Sequence, residues 1–292
     1  MFRKFVRIIG ITLGCLVTIL IIAYGAIYLR VSSRINKKYD VKAETIEVNY
    51  DSASLVSGER LVAIRACREC HGKDLSGSVL VDDAMIGTFV VKNITKGSGG
   101  LRPDFSVEDW VLALKHGLRR DGTPLRLMPS HEFSLMSEKD MADIIAYASR
   151  TPPVDRVLPE FKIGPLAYVL TAFDLIPLLP AEHTDHTKPL VHEVKIEATE
   201  EYGKYLAAMC INCHGSNYKG GKSPVPGGKD RPDITSTGNP GKWTVDQFMH
   251  TLRTGETPEG KKLNPEDMPW TITKSYNDVE LTALRLYLTS LP

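Results

Sequence analysis

Two five-residue stretches carry residue types that can hold a metallo-cofactor: Cys67-Arg68-Glu69-Cys70-His71 and Cys210-Ile211-Asn212-Cys213-His214. Each has two thiols at Cys-x-x-Cys spacing, followed at once by an imidazole. Thiols so spaced reach one edge of a porphyrin and form thioether bonds to it, and the next histidine brings a ring nitrogen to the iron from one face. Cys-x-x-Cys-His is the attachment signal for covalently held c-type haem. One such pentapeptide can arise by chance or as half of a zinc site. Two of them, each inside a similar frame of about a hundred residues, imply two covalently bound haem c groups. Cys67, Cys70, Cys210 and Cys213 would attach them, with His71 and His214 as axial ligands.

The opposite face of each iron decides the chemistry. Met128 lies 57 residues after His71, and Met268 lies 54 after His214. Both precede a proline, which restricts the backbone beside the thioether. His/Met ligation leaves no open iron position and raises the potential relative to bis-histidine, so the expected task is electron transfer. Met136 is the rival ligand in the first frame. Met85, Met136, Met141, Met209 and Met249 are otherwise expected as core filler.

Paired elements must position these residues. Ser57–Leu61 matches Tyr202–Leu206, Asn93-Ile94-Thr95 matches Asp233-Ile234-Thr235, and Ser106–Trp110 matches Thr244–Phe248. Gly117 matches Gly255, Met128-Pro129 matches Met268-Pro269, and Tyr147 matches Tyr287. The period gives two copies of one unit. In each copy a helix near Ser57–Ala66 or Glu200–Met209 leads into the Cys-x-x-Cys-His motif. Another helix starts at the cap signal Ser106 or Thr244. A last helix starts near Ser137 or Asn277, with apolar residues at helical spacing: Met141, Ile144, Ile145, Ala148 and Leu281, Leu284, Leu288. No long alternating run predicts a sheet. Trp110 and Phe248 are expected in the cores, and Trp243, Trp270 and Tyr218 near haem edges or propionates.

Ile8–Leu29 is 22 residues without a charge, long enough to span a bilayer core. A cleaved signal peptide is the rival, with a small-x-small site at Ala23-Tyr24-Gly25. The apolar run continues past that site, which favours an uncleaved anchor. Cys15 within it suits a small apolar side chain better than a lipid-modified one. Residues 1–51 hold eight basic and four acidic groups, so the positive excess sits beside the anchor, where anionic lipid would meet it. The whole chain has 36 basic and 35 acidic residues, which argues against nucleic acid as a partner.

With these motifs, Trp110 and the ending Leu286–Pro292, the sequence resembles tandem class I-type cytochromes c. It is especially similar to the cytochrome c subunits of bacterial periplasmic alcohol and sugar dehydrogenases. That resemblance implies an all-α fold with two tandem cytochrome c domains behind one N-terminal transmembrane helix. The expected division is an anchor at 1–30, a tether at 31–51, one domain at 52–155, a linker strap at 156–195 and a second domain at 196–292. The protein would sit in the bacterial inner membrane with both domains in the periplasm, since c-type haem is attached outside the cytoplasm. Its partners would be redox proteins: a dehydrogenase, a terminal oxidase or another respiratory complex. The dehydrogenase subunits carry three such motifs and this chain two, so direct quinone reduction does not carry over.

The linker is apolar but too interrupted by Asp174, Pro177 and Pro180 for a second span. A strap packed across both domains is favoured over a membrane-surface or partner-docking segment. His183 and His186 have a spacing that can share a metal, although exposed linker histidines are commoner. The alternative function is a haem enzyme, a dihaem peroxidase or a sulfur-compound oxidoreductase, with one labile axial position. Zinc on the Cys-x-x-Cys pairs would need four ligands converging on one ion, whereas these pairs sit in separate repeats.

Overall fold

The computed structural model describes residues 2–222 and 229–292. The first helix, α1 (Phe2–Ile35), is long and apolar enough to cross a membrane. It runs past the expected end at residue 30, and Val31 and Ile35 are buried at its far end. The stretch after it is tied to the first frame. The Tyr39 amide donates to the Gly122 carbonyl at 3.0 Å, and Ile46 sits in the core.

The first helical frame follows: α2 (Ser52–Ile64), α3 (Cys67–His71), strands β1 (Ser78–Asp83) and β2 (Gly87–Val91), α4 (Val107–Val111), α5 (Ser130–Phe133) and α6 (Glu138–Arg150). The linker supplies β3 (Lys162–Ile163) and α7 (Pro165–Ala172), then one 3₁₀ turn at Pro180–His183. A second frame repeats the helices: α8 (Glu200–Ala207), α9 (Ile211–His214), α10 (Asn239–Lys242), α11 (Val245–Thr254), α12 (Trp270–Thr273) and α13 (Asp278–Ser290).

Each frame is built on one helix crossing, α2 on α6 and α8 on α13. A glycine sits at each crossing. A Cβ on Gly58 would strike the Asp143 carbonyl, and one on Gly203 would strike the Ala283 carbonyl. The missing side chain is what lets the backbones approach. The apolar residues at helical spacing face these crossings: Met141, Ile144, Ile145, Ala148, Leu281, Leu284 and Leu288 are all buried. Trp110 and Phe248 are buried with them.

The cap signals form. Ser106 and Asp109 exchange side-chain and backbone bonds at the start of α4, and Thr244 and Gln247 do the same for α11. These bonds occupy amide donors that a helix start otherwise leaves without partners. Ser137 caps α6, and Asn277 forms a third box with Glu280 at α13.

The all-α expectation needs correction. A three-stranded antiparallel sheet, in the order β1-β2-β3, flanks the first frame. Its register shifts between Val79 and Val81, which interrupts the alternation a strand would show in sequence. Gly87 at its turn has φ 104°, and a Cβ there would meet the Lys162 carbonyl. Met85, expected as core filler, is exposed beside this turn.

The linker packs against the first frame. Leu127 donates to the Leu178 carbonyl at 3.1 Å, the Ser130 and Thr184 hydroxyls bond at 2.9 Å, and Glu138 donates to the Val191 carbonyl at 2.7 Å. Leu190 and Val194 reach the core that both frames share.

Candidate haem sites

The chain enters each Cys-x-x-Cys-His motif from the first helix of its frame. In the first frame Ala66 adopts a left-handed φ of 60°, which turns the chain sharply into α3. One helical turn then gathers Cys67, Cys70 and His71, because residues three and four apart share a face. In the second, a 3₁₀ turn at Ala208–Cys210 leads into α9. None of the four motif cysteines is in a disulfide. Burial pushes the Cys67 and Cys210 thiols up to about 12.

Both histidines are buried and held in the same way. His71 Nδ1 lies 2.8 Å from the Lys92 carbonyl oxygen, and His214 Nδ1 lies 2.9 Å from that of Pro232. A carbonyl only accepts, so Nδ1 carries the proton and the Nε2 lone pair is left to bind a metal. Desolvation lowers both imidazole pKa values, which keeps the rings neutral.

The carbonyls are aimed by the residue that follows each. Asn93 Oδ1 accepts from the Thr95 amide at 2.9 Å and its hydroxyl at 2.8 Å, while its amide donates to the Val154 carbonyl at 2.8 Å. Asp233 Oδ1 accepts from the Thr235 amide and hydroxyl, both at 2.7 Å. The Ile94 amide reaches the Leu75 carbonyl and the Ile234 amide the Tyr218 carbonyl, both at 3.0 Å. Leu75 and Tyr218 share a left-handed φ of 61° and 59°.

The Met-Pro pairs form one turn twice. Ser130 donates to the Met128 carbonyl at 2.7 Å around Pro129 (φ −76°, ψ 59°). Trp270 donates to the Met268 carbonyl at 2.7 Å around Pro269 (φ −76°, ψ 61°). Both are inverse γ-turns, a geometry the proline ring favours. Behind them Gly117 and Gly255, both at left-handed φ, leave room for Ser130 and for the Trp270 ring. Met128 and Met268 pack, partly exposed, on the core that also receives Cys67 and Cys210. The rival Met136 is fully buried in that core.

A donor set of two cysteines on one helical turn, an imidazole with Nε2 left to coordinate, and a methionine on a fixed turn fits covalent haem c with His/Met ligation. Trp243 and Tyr218 are buried, and Trp243 donates to Glu259 at 2.8 Å. His183 and His186 do not form a metal pair. His186 Nδ1 lies 3.0 Å from His116 Nδ1, and its Nε2 lies 3.1 Å from the Ala181 carbonyl. Among the described residues no three His, Cys, Asp or Glu side chains converge on a metal position.

Charged residues between the two sites escape a motif search. Arg65, two residues before Cys67, is buried, with its guanidinium 4.7 Å from the Tyr205 ring and 3.5 Å from Asp140. Tyr205 donates to Asp140 at 2.5 Å and accepts from the Ser137 amide at 3.1 Å. Glu132 is buried and feels both Arg65 and Cys210, and desolvation pushes its carboxyl up to about 7. The signal in sequence was a cation at Arg65, four residues after core Leu61, where helical spacing calls for an apolar side chain.

Residues 200–292 match the family model described as cytochrome c. The chain is 26% identical over 279 residues to the fructose dehydrogenase cytochrome subunit of Gluconobacter japonicus, covering 87% of this chain and 56% of that protein. It is 25% identical to the cytochrome c subunit of the quinone alcohol dehydrogenase of Gluconobacter oxydans, covering 83% and 55%. The corresponding subunit of Gluconacetobacter polyoxogenes is 25% identical, at 83% and 57% coverage. The chain thus spans little more than half the length of these relatives. Residues 200–292 are a cytochrome c domain, the kind that carries covalently bound haem c, and the chain as a whole is similar to the cytochrome c subunits of fructose and alcohol dehydrogenases.

Proposed function

We propose that this chain is a membrane-anchored dihaem cytochrome c that passes electrons between periplasmic redox partners. One observation carries it: the His71 site repeats the principal bonds of the His214 site. Each has an Nδ1 bond to the carbonyl before Asn93 or Asp233, and each has a Met-Pro γ-turn. The second site lies in the matched cytochrome c domain. The same arrangement in residues 52–155 supports a first domain there and a second haem.

In this proposal Cys67, Cys70, Cys210 and Cys213 would hold the porphyrins, and His71, Met128, His214 and Met268 would ligate the irons. Bound haem iron supplies reversible one-electron chemistry. The protein's part is to fix the imidazoles, present Met128 and Met268 on their turns and keep Cys67 and Cys210 near one shared core. Helix α1 would hold the chain in the inner membrane, with both domains on the periplasmic side. Similarity to dehydrogenase subunits supports a dehydrogenase as electron donor.

A pyridine haemochrome assay with a haem-stained gel tests the haem count. Two haems per chain are expected, and one per chain after Cys67→Ser with Cys70→Ser or after Cys210→Ser with Cys213→Ser. A count of one in the unaltered chain overturns the dihaem assignment.

A further inference from the structure

The linker carries an exposed apolar surface that the electron-transfer sites do not use. Phe173 is 65% exposed, Leu175 50% and Leu166 39%. Met85 joins them at 53%, and its carbonyl accepts from the Leu166 amide at 2.9 Å. Large contiguous apolar surfaces on a folded protein mark a binding face.

The position of α7 says what it meets. It packs directly on α1, with the Tyr168 and Tyr28 rings 4.9 Å apart. Tyr28 is the last residue but one of the uncharged run, Ile8–Leu29. At a rise of about 1.5 Å per residue it stands within about 2 Å of that run's outer end. Helix α7 is therefore level with the boundary between acyl chains and headgroups, where tyrosines collect. With eight residues it is too short to span the bilayer. Between Lys162 and Glu182 the sole charged side chain is Asp174. Arg34, at the end of α1, binds Asp174 at 2.6 Å, Glu182 at 3.0 Å and the Thr171 carbonyl at 2.8 Å. The one charge on this segment is thus neutralised by the anchor helix itself.

We propose that α7 and residues 173–176, with Met85, form a second membrane contact: an apolar surface lying in the outer interface of the same bilayer that α1 crosses. It rests on α1 being a membrane span. The contact fixes how the first haem unit stands on the membrane, since Leu127, next to Met128, is bonded to Leu178 at the end of the segment. The Met128 side of that unit then faces the lipid surface.

The test uses the full-length, haem-loaded chain in vesicles of phosphatidylcholine and phosphatidylglycerol containing a phosphatidylcholine with a diazirine on its acyl chain. After irradiation, lipid adducts are located by mass spectrometry. Adducts are expected on α1 and on Leu166, Phe173 and Leu175, and none on Val157, which is exposed beside Gly99. Phe173→Asp with Leu175→Asp should cut adducts on the 165–176 segment roughly tenfold, leaving haem content and α1 adducts unchanged. Adducts on α1 alone would overturn the interfacial contact while leaving the anchor in place. Adducts on neither would overturn the anchor as well. Cross-links between two copies through 165–176, without lipid adducts there, would also overturn the membrane contact.

Discussion

His214 Nδ1 donates to the Pro232 carbonyl at 2.9 Å, and this single bond assigns the ring's tautomer. With the proton fixed on Nδ1, Nε2 is the nitrogen offered to iron. His71 repeats the bond with Lys92. The structure thus presents two imidazoles already oriented for one kind of coordination, in two frames about 140 residues apart.

Met128→Ala and Met268→Ala should each leave both haems attached. Each should remove the methionine–iron band of one haem and lower that haem's potential, because a thioether favours ferrous iron more than the water or nitrogen ligand that would replace it. Redox titration followed by visible absorption checks both effects. An unchanged spectrum in either variant would reject that ligand.

Gly58→Ala and Gly203→Ala place a methyl group against the carbonyls of Asp143 and Ala283. The helices must separate at the crossing that builds each frame. A loss of about 3 kcal/mol is expected for either change. Thermal unfolding monitored by circular dichroism should show a clear drop in midpoint.

Glu132 makes stability depend on pH. Its carboxyl rises from 4.5 to about 7 on folding, chiefly through desolvation, with Arg65 opposing the shift. The protonated form is the one the fold favours. Its contribution is complete below pH 4.5 and is lost as pH climbs through about 7, on the order of 3 kcal/mol in all. Because the Glu132 charge acts on Cys210, the potential of a haem on Cys210 and Cys213 should fall over the same range. Glu132→Gln should flatten both slopes, as seen in denaturant melts and redox titrations across that window.

Arg34→Ala should loosen the junction between α1 and the linker. Glu182 is only 19% exposed and would lose the partner that Arg34 provides. A cost of about 2 kcal/mol is expected. Hydrogen exchange should quicken in α7 and in Pro180–His183, while the α8 and α13 amides stay as protected as before. Arg34→Lys should recover only part of the protection, since one ammonium cannot reproduce the forked contact with Glu182 and Asp174.

Much of the haem-site frame was legible from residue order. The repeat aligned Asn93 with Asp233 and Met128 with Met268, and in the structure these pairs adopt matching turns. Helical spacing placed Met141 and Leu281 in the core, and cap chemistry placed the starts of α4 and α11. The sheet was not legible. Its alternation is broken by the register shift between Val79 and Val81, and its third strand is two linker residues paired with Gly87 and Thr88. Nothing local announces a pairing over so long a stretch of chain. Arg65 and Glu132 were also missed, because a buried charge makes sense only once Tyr205, Asp140 and Cys210 surround it. The His116–His186 contact, between the π-helical turn Leu112–His116 that follows α4 and the linker, was likewise not announced by the local sequence.

The most direct measurement is the ligation of both irons in the purified, full-length protein. Low-temperature electron paramagnetic resonance of the oxidised chain, with magnetic circular dichroism in the near infrared, should show two low-spin ferric haems, each with the methionine–iron band. A single haem signal, or a high-spin component from an open coordination position at either centre, would contradict a paired electron relay.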